Sequence, residues 1–239
     1  MELEQTIKTN LHRALELLND NPFENSVFDA ELSHLEDYIK LLKKNYNLVL
    51  TGAPGTGKTF LAKQISAVMV GNCKWSELSD DQKKQISFVQ FHPSYDYTDF
   101  VEGLRPDGKG DFVRTDGAFK EFCKNAITEV SASAENASEA KYVFIIDEIN
   151  RGELSKIFGE LFFSIDPGYR GEDGTVQTQY QNLVPAGDVF AKGFYVPKNV
   201  YIIGTMNDID RGVEAMDFAI RRRFAWSEIS AEDSASSMG

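Results

Sequence analysis

Asn47-Leu48-Val49-Leu50, followed almost at once by Gly52-Ala53-Pro54-Gly55-Thr56-Gly57-Lys58-Thr59, decides the fold of this 239-residue chain. The apolar run reads as a short buried strand. The glycine-rich segment matches G-x-x-x-x-G-K-[ST] in full. A helix opens near Gly57 and continues through Leu61, Ala62, Ile65 and Met69. A glycine turn between a buried strand and a helix is the setting in which this string means a phosphate cradle. The glycines let the backbone wrap close, with N–H groups turned inward, and the helix N-terminus adds partial positive charge. Lys58 is expected to reach the β- and γ-phosphates of a nucleotide, and the Thr59 hydroxyl to ligate Mg²⁺. The cofactor-binding set is Gly52, Ala53, Pro54, Gly55, Thr56, Gly57, Lys58, Thr59 and Phe60.

Working outward, Tyr142-Val143-Phe144-Ile145-Ile146 is a continuous apolar run, as expected of a central strand in a parallel sheet. Asp147-Glu148 stands at its tip. A carboxylate there lies beside the phosphate loop in doubly wound sheets. Asp147 is therefore expected to hold Mg²⁺, and Glu148 to orient or deprotonate an attacking water. Val200-Tyr201-Ile202-Ile203-Gly204 reads as another central strand, ending in Thr205-Met206-Asn207, where a polar side chain can touch phosphate or water. Arg221-Arg222-Arg223 closes a helix expected over 213–223. An arginine supplied by a neighbouring subunit can stabilise transition-state charge. At about 100° per residue, Arg221 and Arg223 point about 200° apart, so at most two of the three reach one nucleotide. Arg222 and Arg223 are the favoured pair; a solvated basic helix end is the plainer reading.

Composition bounds the remainder. Hydrophobic residues make up 42% and charged residues 26%, ordinary for a globular protein, and no apolar run is long enough to span a membrane. The polar, acidic start MELEQTIKTN does not read as a secretory signal. Cys73 and Cys123 lack metal-type spacing, which fits reduced thiols in a cytoplasmic protein. The formal net charge is −12, and only Arg221–Arg223 forms a basic run, so this chain is not expected to be the DNA-reading part of an assembly.

The remaining pattern alternates helices with strands. Helices are expected over 3–18, 30–44, 116–130 and 153–163, a charged helical stretch over 76–84, and a strand over 86–91. Residues 131–140 (SASAENASEA) read as a loop. The glycine-bearing segment 167–197 is expected to be a β-hairpin insertion, and Phe224–Ile229 the final strand. Together these imply a doubly wound α/β fold.

Three stretches, Asp147–Leu161 (DEINRGELSKIFGEL), Gln90–Pro106 (QFHPSYDYTDFVEGLRP) and Gly204–Phe224 (GTMNDIDRGVEAMDFAIRRRF), resemble the McrB-like AAA+ GTPases, motor subunits of modification-dependent restriction systems. The resemblance covers roughly residues 30–228, and the Met206-Asn207-x-x-Asp210 element is its most specific piece. It implies an AAA+ large subdomain with a parallel central sheet flanked by helices. It also implies a hexameric ring of like subunits, an McrC-like nuclease subunit that stimulates hydrolysis, and DNA translocation. Asn207 falls on the family's sensor position, and Asp210 on a further catalytic one. Arg151, in Asp-Glu-Ile-Asn-Arg, becomes a candidate contact across a subunit boundary; the plain alternative is a capping Asn150 and a surface Arg151. His92, Tyr95, Tyr97 and Phe100 are candidates to face a pore or a neighbour, with local packing the other reading.

Two features depart from the family pattern. Residues 1–29 are too short for a domain that reads modified DNA, so DNA contact would fall to a missing domain or a partner. The helical lid after the last strand is expected to be missing or truncated, with Ser230-Ala231-Glu232-Asp233 resembling its first turn. The expected organisation is a helical extension (1–29), the nucleotide-binding core (30–229) and the start of a truncated lid (230–239). No Asn-Lys-x-Asp guanine motif is present, so the preference for GTP over ATP rests on resemblance. An AAA+ ATPase of another remodelling branch, and an assembly module with little turnover of its own, stay open.

Overall fold

In a computed structural model, residues 33–132, 140–207 and 218–230 are described. The chain divides into two compact units, Met1–Asp37 and Tyr38–Gly239. The expected helix over 3–18, Asp210 and the lid start at 231–233 lie outside the described residues, as do most of the expected loop 131–140 and the first part of the helix over 213–223.

The elements, in chain order, are α1 (Glu36–Asn45), β1 (Asn47–Gly52), α2 (Lys58–Gly71), α3 (Asp80–Lys84), β2 (Ile86–Gln90), α4 (Tyr97–Phe100), β3 (Glu102–Pro106), β4 (Phe112–Asp116), α5 (Ala118–Ala132), β5 (Tyr142–Asp147), α6 (Leu154–Phe158), α7 (Leu161–Ser164), β6 (Val200–Asn207), α8 (Phe218–Arg221) and β7 (Ala225–Glu228). Five strands form one sheet in the order β2-β5-β6-β1-β7, and every pairing in it is parallel. Leu48, Val49, Leu50, Val143, Phe144, Ile145, Ile146, Ile202 and Ile203 are all buried, because a parallel sheet covered on both faces takes apolar side chains in unbroken runs. All five strands point the same way, so their C-terminal tips share one edge, and the glycine loop leaves from that edge. Among the described residues no helix is long and apolar enough to cross a membrane.

Two local expectations are corrected. The β-hairpin is β3–β4, turning through Asp107–Asp111, and not the segment 167–197. That segment is short 3₁₀ turns at Pro167–Tyr169, Glu172–Gly174 and Gln181–Leu183, with a single antiparallel bridge between Val176 and Phe194. Its order comes from inward anchors instead: Phe190, Phe194 and Val196 are fully buried, and Gln181 Nε2 donates to Phe190 O. The helix expected over 153–163 breaks into α6 and α7 at Gly159 (φ 50°, ψ −127°), where a Cβ would lie 3.2 Å from the Tyr97 ring.

The hairpin is fastened to the core by charge. Glu102 and Lys120 are both fully buried. Lys120 Nζ donates to Glu102 Oε2 (2.7 Å) and to Thr178 Oγ1 (3.2 Å). Arg114 Nε donates to the same Oε2 (2.9 Å), and Tyr180 N to Oε1 (2.8 Å). Burial pushes the Glu102 carboxyl up, but the Lys120 ammonium and the backbone N–H of Tyr180 outweigh it and hold it below the usual carboxylate range. One carboxylate thus ties β3, β4, α5 and the irregular segment together.

Replacing Glu102 with leucine strands the Lys120 ammonium in the interior. Such a break is expected to cost about 3–5 kcal/mol, read as a lower urea midpoint. Because the folded carboxyl is depressed, its contribution is complete above the unfolded value of about 4.3 and is lost as pH falls through the folded value. The acid limb of wild-type stability should therefore be steeper than that of Glu102→Leu.

Candidate nucleotide site

The loop between β1 and α2 takes a form only glycine tolerates well. Gly52 (φ 148°), Gly55 (φ 82°) and Gly57 (φ 72°) all have positive φ. Gly57 caps α2 from the left-handed region with no side-chain hydrogen bond, and α2 has no acidic residue in its first turn. The helix end therefore keeps its positive character for an anion. Lys58 is buried, and its Nζ donates to Gly52 O (2.9 Å), Ala53 O (2.7 Å) and Thr56 Oγ1 (3.3 Å). Thr56 Oγ1 in turn donates to Ala53 O (2.9 Å). The ammonium thus stands inside the loop, braced by its carbonyls. Phe60, one residue past the loop, is 43% exposed.

Register assembles the opposite wall. Gln90 pairs with Asp147 across β2–β5, and Leu50 with Thr205 across β1–β6. One step beyond the paired Ile146 and Gly204, Asp147 meets Thr205. Asp147 Oδ1 accepts from both Thr59 Oγ1 and Thr205 Oγ1, each at 2.7 Å, and Oδ2 accepts from Gln90 Nε2 at 3.3 Å. Thr59 and Asp147, drawn from elements far apart in sequence, therefore present hard oxygen ligands side by side. That donor set fits Mg²⁺, which takes one or two protein oxygens and fills its octahedron with phosphate and water.

Glu148 sits in the left-handed region (φ 53°, ψ 46°), which costs a non-glycine residue roughly 1–2 kcal/mol. The conformation is held from several sides. Glu148 N donates to Thr205 Oγ1 (3.3 Å), and Arg151 N donates to Glu148 O (2.9 Å). Ile149, fully buried, lies over Gly204, where a Cβ would come 3.0 Å from Ile149 Cδ1. Asn207 Nδ2 donates to Glu148 Oε1 (2.9 Å). Glu148 Oε2 is buried and accepts no hydrogen bond, with Arg151 Nε 3.4 Å away. A carboxylate braced at Oε1 by Asn207 and ion-paired at Oε2 with Arg151, set next to the loop, is a candidate proton acceptor for water.

Of the residues singled out by sequence, Gly52–Thr59, Asp147, Glu148 and Asn207 come together at the C-terminal edge of the sheet. Arg151, expected across a subunit boundary, lies beside its own Glu148. The arginine run is elsewhere: Asn47 Nδ2, at the opposite end of β1, donates to Arg223 O (2.8 Å). Arg221 stacks over Trp226 (5.5 Å), and Arg222 is exposed. Arg223 Nε lies 3.6 Å from Asp166 Oδ2, and its guanidinium stands 5.9 Å over Phe162, which binds it to its own subunit. Of the favoured pair, only Arg222 points away from the core. In the aromatic segment, Phe100 is fully buried and stacks on Phe119 (4.8 Å), Tyr95 stacks on Phe91 (4.7 Å), and Tyr97 OH donates to Glu160 Oε1. These three pack locally; His92 is exposed. Sequence reading passed over Thr205 and Gln90. Thr205 stood in plain view, two residues before Asn207 on the strand whose end was already suspected.

Residues 47–224 match the model of the AAA domain (dynein-related subfamily). The chain is 40% identical over 205 residues to the type IV methyl-directed restriction enzyme EcoKMcrB subunit of Escherichia coli K12, spanning 86% of this chain and 39% of that protein. It is 24% identical over 207 residues to the type II restriction enzyme BsuMI component YdiS of Bacillus subtilis 168, spanning 78% of this chain and 57% of that one. Among solved structures, NtrX from Brucella abortus in complex with ADP is similar at 14% identity and a TM-score of 0.44, over 92% of this chain and 41% of that one. The chain therefore spans about two-fifths to three-fifths of the length of these curated relatives. It belongs to the AAA domain family, dynein-related subfamily, of P-loop nucleotide hydrolases, and its nucleotide-binding core is McrB-like.

Proposed function

We propose that the chain hydrolyses a Mg²⁺–nucleoside triphosphate, GTP in preference to ATP, as the core of a ring-forming, hexameric motor that moves DNA for a partner nuclease. The observation that carries this is Glu148, strained, braced at Oε1 by Asn207 and at Oε2 by Arg151, beside the Thr59–Asp147 pair. In this reading residues 30–229 form the motor core, 1–29 an extension and 230–239 the start of the lid.

Lys58 and the loop N–H groups would hold the β- and γ-phosphates, with Phe60 flanking them. Thr59 and Asp147 would hold Mg²⁺, which when bound neutralises charge on the phosphates. Glu148 Oε2 takes a proton from water as the water oxygen attacks the γ-phosphorus. The bond to the bridging oxygen breaks, leaving nucleoside diphosphate and phosphate. Asn207 keeps Glu148 aimed, and Asp210 is assigned a supporting role on the segment that follows. Arg151 holds the second carboxylate oxygen of Glu148 until a neighbouring subunit competes for it. Both curated relatives are named as parts of restriction enzymes, which supports an McrC-like nuclease subunit as the partner. With a formal net charge of −12, DNA contact falls to another domain or to that partner.

Arg222 supports the ring. It lies at the far end of β1 from the loop, and five strand residues at about 3.3 Å each separate the two by roughly 17 Å. In this reading its charge serves a neighbour's nucleotide.

Nucleotide binding should favour GTP analogues over ATP analogues and vanish in Lys58→Ala, measured by fluorescent-nucleotide titration; an ATP preference would move the assignment to another remodelling branch. Glu148→Gln should bind nucleotide like wild type while turnover drops about 10²–10⁴-fold in a phosphate-release assay. Arg222→Ala should lose about 10³–10⁵-fold, and mixing it with Lys58→Ala should restore turnover, since one chain lends the arginine and the other the loop. If mixing restores nothing, the arginine does not act across a boundary.

A further inference from the structure

Thr205 is a threonine where packing asks for valine. It is buried in the middle strand of the sheet, next to the apolar Ile202, Ile203 and Met206. Valine has the same branched shape, suits a strand equally well and carries no polar group to desolvate. The hydroxyl therefore needs a reason, and its two bonds supply one. Its proton goes to Asp147 Oδ1 (2.7 Å), and its oxygen accepts the backbone N–H of Glu148 (3.3 Å). Neither bond serves the strand ladder.

Each bond fixes something the reaction needs. The first leaves Asp147 Oδ1 with two hydroxyl donors, Thr205 and Thr59, so the carboxylate plane is set before any cation arrives. The second restrains the peptide that enters Glu148, whose left-handed backbone no glycine relaxes. A carboxylate that ligates metal is aimed by groups that do not touch the metal. A general base on a strained turn needs its backbone held. One oxygen atom does both.

We infer that the Thr205 hydroxyl is the positioning group that aligns the Mg²⁺-holding Asp147 and the water-activating Glu148 as a single unit. The inference rests on the hydrolase reading above and adds a residue to it. In this role Thr205 acts through the two acids. It couples them, so its loss should disturb metal binding and turnover together, while leaving the phosphate contacts of Lys58 alone.

The test compares wild type, Thr205→Val, Thr205→Ser and Thr205→Ala in the whole chain. Two readouts are taken: the Mg²⁺ concentration that half-saturates binding of a fluorescent nucleotide, and kcat and KM for phosphate release. Circular dichroism checks folding, and Thr205→Ala stands in should the valine variant misfold. Thr205→Val is expected to raise the Mg²⁺ half-point about 10-fold and lower kcat roughly 10- to 100-fold, with KM for nucleotide at saturating Mg²⁺ unchanged. Thr205→Ser keeps the hydroxyl and should recover most of both. Valine at wild-type values in both readouts overturns the inference. Equal losses in valine and serine overturn it too, since the methyl group and not the hydroxyl would then matter. A wild-type chain that binds nucleotide without hydrolysing it still decides the matter through the Mg²⁺ half-point. A wild-type chain with no Mg²⁺-dependent nucleotide binding sinks the hydrolase reading and this inference with it.

Discussion

One carboxylate oxygen is where the helix behind the phosphate loop and the strands in front of it are joined. Asp147 Oδ1 takes protons from Thr59, at the start of α2, and from Thr205, near the end of β6. Neither donor can be there unless β5, β6 and β1 run parallel and in the observed register. A one-residue slip in a strand turns every side chain to the opposite face. Such a slip of β6 would bury Asn207 and lift Thr205 off the acid. The apolar runs that fix the register, Val143–Ile146 and Ile202–Ile203, are thus the first determinants of the site, although none of them faces it.

Backbone strain at the same edge of the sheet is held by close packing. Glu148 is held left-handed because Ile149 sinks over Gly204 and the next turn closes through Arg151 N. Gly52 shows a similar dependence. A Cβ there would lie 2.4 Å from Ile229 O, and Ile229 N donates to Thr51 O (2.7 Å). The phosphate loop therefore leaves the sheet directly beneath the chain emerging from β7. Gly52 serves this crossing as well as the approach of a phosphate, so the loop's shape and the sheet's edge strand are set by one residue.

The sheet and the nucleotide edge were legible because they rest on long apolar runs and a motif with fixed spacing. Lys58 and Thr59 were singled out from the loop motif, Asp147 and Glu148 from a strand end, and Asn207 from a strand end and the family resemblance, and the fold brings all five to one edge of the sheet. What escaped was decided by tertiary packing. Gly159 breaks a helix whose periodicity looked continuous, because the Tyr97 ring packs against it. The segment 167–197 carries hairpin-like glycines, yet Phe190, Phe194 and Val196 draw it inward before it can pair. The true hairpin at 102–116 is pinned by Glu102, a buried carboxylate that no pattern distinguishes from a surface one. Arg223 looked as available as Arg222 until Asp166 and Phe162 were seen to hold it.

The two ends of β1 set a limit on how the motif and the arginines can cooperate. Asn47 opens the strand with an amide that donates to Ile165 O and Arg223 O, while its oxygen accepts from the buried Arg170. Gly52 closes the strand at the phosphate loop. Between them every residue is paired on both sides or nearly so, to β6 throughout and to β7 from Leu48 to Thr51. Bringing Arg222 to the loop of its own chain would mean tearing β1 from both neighbours and breaking the Asn47 clamp. A rigid strand thus separates the phosphate cradle from the exposed Arg222 by a fixed distance. In the proposed ring, any charge that Arg222 brings to hydrolysis is delivered to another copy of the chain, and the chemistry is then a property of the assembly.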